Sequence, residues 1–127
     1  MSASDNLSSA QWHQTDMFKT AKELYGHELN DVEVENDRLR NYEGIDPEEQ
    51  DIDVKGYVMD RKLAESKEGG MYGMYNHIKK RGVIEPVSLG EGRWGVYRRG
   101  VVSDGHHRIA AAYDIDPNML VPVEHQE

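Results

Sequence analysis

Four consecutive residues, Gly105-His106-His107-Arg108, combine the side chains best suited to holding an anion near neutral pH. The guanidinium of Arg108 can grip phosphate or carboxylate through two parallel hydrogen bonds, and His106 and His107 can donate, accept or transfer a proton. Their setting strengthens this reading. Val101-Val102-Ser103-Asp104 has the β-branched character of a strand end, and Ile109-Ala110-Ala111-Ala112 has the composition of a helix. Gly105 between them supplies a tight turn. A strand–glycine–helix junction points the first free backbone N–H groups of the helix outward, where the helix dipole also favours negative charge. The alternative is a solvated turn whose charges do little.

The elements that must position this turn can be read from periodicity. Thr15 to Tyr25 is expected to be a helix, capped by Thr15, with Met17, Phe18, Ala21, Leu24 and Tyr25 as its apolar stripe and Gly26 as a left-handed terminator. Residues 27–50 are expected to be an extended or weakly ordered connector, broken at Ile45-Asp46-Pro47. Ile52, Val54 and Tyr57-Val58-Met59 read as a first strand, and Asp60 to Lys67 as a short helix or turn. Met71, Met74, Tyr75 and Ile78 restore the helical period, which Lys79-Lys80-Arg81 and Gly82 end, predicting a helix over 71–81 whose stripe is core. Val83 to Leu89 reads as a strand that Pro86 confines to an edge or a strand start. Gly90-Glu91-Gly92-Arg93 is a hairpin-like turn, Trp94 to Arg98 the return strand, and Leu120 to Val123 a final strand after Asp116-Pro117 stops the alanine helix. No internal repeat is present.

Composition bounds the function. The 127 residues suit one core, and a mean hydropathy of -0.82 makes that core modest. No apolar run approaches the roughly 18 residues of a membrane span, and no basic-then-apolar leader opens the chain, so a cytoplasmic protein is expected. Without cysteine there is no disulfide, thiolate nucleophile or zinc–thiolate site. The net charge of -9 argues against general binding of DNA. That charge is unevenly spread. Glu28 to Asp53 holds eleven acidic residues against two basic, whereas Val54 to Arg108 holds eleven basic against six acidic. The acidic stretch reads either as a solvated linker or as a cover for the basic face or a docking segment for a protein partner.

Two boxes in about the last 70 residues resemble the ParB/sulfiredoxin superfamily. Gly82-Val83-Ile84-Glu85-Pro86-Val87 is similar to the helix–Gly–x–x–x–Pro–hydrophobic element of that family, and Asp104-Gly105-His106-His107-Arg108 with its alanine helix to its Gly-x-x-Arg loop. Val121-Pro122-Val123 falls where members close their sheet. Residues 1–50 match nothing in the family. The resemblance implies an α+β fold, a small mixed sheet with flanking helices over 51–127, to which periodicity and charge add an N-terminal helix and acidic connector over 1–50. It implies a nucleotide-phosphate site at Gly105, His106, His107 and Arg108, with Glu85 and Pro86 beside it, in a free-standing ParB-like domain such as bacteriophages carry, with a regulatory or host-interaction role in the host cytoplasm. Sulfiredoxins place their catalytic cysteine where His106 stands, so sulfinic-acid reduction is excluded here. Chromosome-partitioning members continue into a helix-turn-helix; with the sequence ending at Glu127, centromere binding is not expected.

Three classes of function remain. One is a nucleotide-binding or switch domain. Another is an enzyme in the same pocket. Similar Asp-Gly-His-His-Arg loops occur in free-serine kinases of the superfamily, which would make Asp104 or Glu85 a base, His106 or His107 a phosphate contact and Arg108 the neutralising charge. A metal-dependent nuclease would instead use Asp104, His106 or His107, and His125 to hold a divalent ion such as magnesium, a sparse set. The last class is a protein-interaction module with a vestigial pocket.

Overall fold

Thr20 decides where the first helix begins. In the computed structural model, which describes residues 17–91 and 97–125, the Thr20 hydroxyl accepts from the Glu23 backbone N–H at 3.1 Å and the Glu23 carboxylate accepts from the Thr20 N–H at 3.1 Å. This reciprocal cap starts helix α1, Ala21–Tyr25, directly after strand β1, Phe18–Thr20. The helix expected from Thr15 is therefore shorter, and Thr15 lies outside the described residues. Gly26 ends it with φ -82°, a right-handed rather than left-handed conformation, its N–H reaching the Lys22 and Glu23 carbonyls.

Two further expectations are corrected. After the short strand β2, Glu28–Leu29, the expected connector holds a 13-residue helix, α2, Asn30–Tyr42. Asp31 and Glu33 sit favourably in its first turn, and Glu35 pairs with Arg38 one turn on at 2.7 Å. No α2 residue is fully buried; Val32 is its half-buried contact with the core, which is why its helical period is faint beside its charge. The expected strand over Ile52 to Met59 is likewise helical. Asp53 caps α3, Val54–Lys67, by accepting from the Gly56 N–H at 2.9 Å. Val54, Val58 and Met59 then face the core, with Leu63 half-buried below them. Tertiary packing overrides the β propensity of the two valines and Tyr57.

Helix α4 covers Tyr75–Arg81, and Gly82, at φ 76°, ends it. Of the expected core stripe, Ile78 is buried and Met74 and Tyr75 are partly so, but Met71 is 84% exposed. Strand β3 is Val87–Glu91, β4 is Tyr97–Asp104, helix α5 is His106–Ile115 and β5 is Leu120–His125. Glu91, expected in a turn, continues β3, and the return strand expected from Trp94 is described from Tyr97.

The five strands form one mixed sheet in the order β1-β5-β3-β4-β2. Phe18 pairs with Pro122 and Leu89 with Val102 in antiparallel pairs, while Val87 pairs with Val123 and Leu29 with Val102 in parallel ones. Strand β3 is central, so Pro86 marks a strand start and not an edge. Residues Ala21, Leu24 and Leu29 join Met59, Leu89, Ile109, Val121 and Val123 in one core. The sheet and core thus run across the boundary expected at residue 50. The molecule is α+β, with five helices among the described residues. None of them is long and apolar enough to cross a membrane.

Candidate functional site

Strand β4 ends at Asp104, and Gly105 turns the chain into α5 with φ +104°. A β-carbon at Gly105 would lie 2.8 Å from Val87 Cγ2 and 3.2 Å from Val87 Cα, so the turn presses against the central strand as only glycine allows. No side chain caps α5. The turn that carries its first N–H groups, which have no partner within the helix, lines a cleft of about 370 Å³ together with Asp31, Lys62, Tyr72 and Glu85. That volume falls in the range of roughly 300–1,000 Å³ typical of small-molecule sites.

Successive residues on a helix point about 100° apart, and the three side chains at the start of α5 part accordingly. His106 turns inward, 4% exposed. Its Nε2 accepts from the Asp31 backbone N–H at 3.4 Å, and its Nδ1 lies 3.5 Å from Asp31 Oδ2. Burial pushes its pKa down to about 4, against the opposing pull of Asp31, so it is neutral at pH 7. His107 donates from Nε2 to Glu65 Oε1 at 2.8 Å and stacks on Tyr72 with ring centroids 4.1 Å apart and planes at 5°. This hydrogen bond holds the Glu65 carboxyl below the usual range.

Arg108 reaches across to the Gly82–Val87 box. It donates to Glu85 Oε2 at 3.0 Å and to the Pro86 carbonyl at 3.3 Å, and lies 3.5 Å from Asp104 Oδ2. Its Nε is buried with no hydrogen-bond partner among the described residues. Glu85 is 81% exposed, so this pair is weak. Gly105, His106, His107, Arg108, Glu85, Pro86 and Asp104 are therefore neighbours, but the two histidines serve different partners and do not converge on one point. His125 pairs with Leu89 at the far end of β5. The ligand set Asp104, His106 or His107 with His125 is not gathered, and among the described residues no three His, Asp or Glu side chains form a cluster able to hold a metal.

Sequence reasoning missed Lys62 and Tyr72, and it did not single out Asp31. Lys62 Nζ donates to Asp31 Oδ2 at 2.6 Å, its side chain only 14% exposed. Burial raises the Asp31 carboxyl, but the charges and hydrogen bond of His106 and Lys62 outweigh it and hold the group below its ordinary value. At pH 7, where His106 is neutral, Lys62 is the cation paired with the Asp31 carboxylate. One residue of the acidic run thus does cover a basic group. Lys62 falls in the expected short helix or turn over Asp60 to Lys67, but the direction it faces shows only once Val54, Val58 and Met59 are joined to it as one helical face.

The cleft accordingly offers two cations, the α5 N–H groups and an aromatic pair, with carboxylates seated on both cations. Such a site can hold an anion by exchange for those carboxylates. Comparison with protein-family models, with curated proteins and with solved structures found no match.

Proposed function

We propose that this protein binds a phosphate-bearing small molecule, and specifically a nucleotide, at the start of α5. The observation that carries this reading is the uncapped α5 N-terminus behind Gly105, opening into the cleft that also receives Arg108 and Lys62. Amides of a helix start and a bidentate guanidinium are the donors phosphate favours. The spare Arg108 Nε is a further donor. The Tyr72–His107 stack gives a flat wall beside these donors, suited to a base. A ParB/sulfiredoxin-like arrangement from β3 to β5, a cytoplasmic location and a regulatory role belong to the same proposal, supported by the resemblance of the two boxes.

Calorimetric titration with ATP, CTP, GTP and pyrophosphate tests the reading. Binding by at least one is expected, and Arg108→Ala should weaken it by about 1.5–3 kcal/mol, the scale of lost charge-assisted hydrogen bonds. The variant should fold, because the Glu85 it releases is already exposed. No binding at millimolar concentration by any of them would favour a protein-interaction module.

Phosphoryl transfer is a second reading, favoured by one feature. The Glu85 and Asp104 carboxylates, 3.0 and 3.5 Å from the Arg108 guanidinium, place two bases beside a charge-neutralising cation. Release of ADP from ATP only in the presence of a small hydroxyl acceptor, lost in both Glu85→Gln and Asp104→Asn, would establish it.

A further inference from the structure

We propose that the start of α2 is a latch on the cleft, in which Asp31 stands in for the ligand's phosphate and must be displaced when phosphate binds. The inference rests on the phosphate-binding reading above and adds its regulation. The N-termini of α2 and α5 meet here, with the Asp31 N–H on the His106 ring at 3.4 Å. Asp31 lines the cleft together with Gly105 and Arg108, and its carboxylate takes up the Lys62 ammonium at 2.6 Å. An anionic oxygen already occupies one of the two cations that an incoming phosphate needs.

The element that carries Asp31 is built to let go. Helix α2 has no fully buried residue and no side chain capping its start. It is held to the core by half-buried Val32 and preceded by fully buried Leu29, which can serve as a fixed pivot. Few apolar contacts and an exposed helical face describe a segment of low local stability. Docking of Asp31 and binding of phosphate compete for Lys62, so each must weaken the other by the same factor. Occupancy of the cleft would release the start of an acidic helix to solvent and make it readable by a partner.

The test uses the full chain and inorganic pyrophosphate as the probe. Asp31→Asn removes the competing charge and keeps the shape, and should bind pyrophosphate about tenfold tighter than wild type, within the usual range of coupling between sites. Adding Lys62→Ala should abolish that gain. In wild type, amide exchange over residues 31–38 should accelerate when pyrophosphate saturates the site. Equal or weaker binding by Asp31→Asn, with wild type still binding, would overturn the latch and leave the anion site standing. No binding by either protein would overturn both. Should Asp31→Asn not fold, unchanged exchange of α2 in saturated wild type would itself overturn the latch.

Discussion

At the scale of single residues, Gly105→Ala meets a positive φ of +104° and a β-carbon contact of 2.8 Å with Val87 Cγ2 together. Strain and overpacking of this kind cost about 2–4 kcal/mol, which urea unfolding would register; a change below about 0.5 kcal/mol, the scale of an ordinary surface substitution, would show that the turn relaxes freely. His106 makes a second prediction. Its folded pKa of about 4 lies below the ordinary 6.5, so the unfolded chain binds the proton more readily. The stability tied to its neutral form is complete above pH 6.5 and is lost as pH falls towards 4, by at most about 3 kcal/mol. Asp31, with its lowered pKa, acts in the same direction at more acid pH. Unfolding midpoints of wild type should therefore fall more steeply from pH 7 to 4 than those of His106→Gln, and parallel curves would contradict the assignment. The sequence made Gly105 and Arg108 legible, because turn chemistry and charge are local properties, whereas Glu85 and Pro86 were placed beside them only by the family resemblance. It did not separate His106 from His107. Which of these adjacent side chains turns inward depends on Asp31, far away in the chain.

At the scale of elements, the segments from Phe18 to Tyr42 are structural. Thr20→Ala should remove the α1 cap at a cost of about 1 kcal/mol, visible as a lowered midpoint. Deleting residues 1–50 takes away β1, α1, β2 and α2, and with them buried Ala21, Leu24 and Leu29. The remainder should lose cooperative thermal unfolding by circular dichroism; a sharp transition would show that 51–127 folds alone, as the sequence suggests. The extended connector expected over residues 27–50 is instead largely helical, for a physical reason. Charge density at Glu28 to Asp53 resembles a solvated linker, yet Leu29 is fully buried and Val32 packs against the core. By contrast, β3, β4, α5 and β5 were legible near their observed places, since strong apolar runs and glycine breaks bound them.

At the scale of the molecule, a net charge of -9 and carboxylates on both cleft cations oppose long polyanions. No cleavage of double-stranded DNA is expected in magnesium or manganese; cleavage lost in both His106→Ala and Asp104→Ala would reverse that. Binding of a compact phosphate should weaken as salt rises, because charge interactions are screened beyond about 10 Å at 0.1 M salt. The most direct measurement is a titration of the isotope-labelled chain with ATP followed by amide chemical shifts. The largest changes should fall on His106, His107 and Arg108 at the start of α5, with smaller ones at Lys62 and Tyr72, and Arg108→Ala should suppress them. Changes centred elsewhere, or none at millimolar ATP, would contradict a phosphate site at this helix.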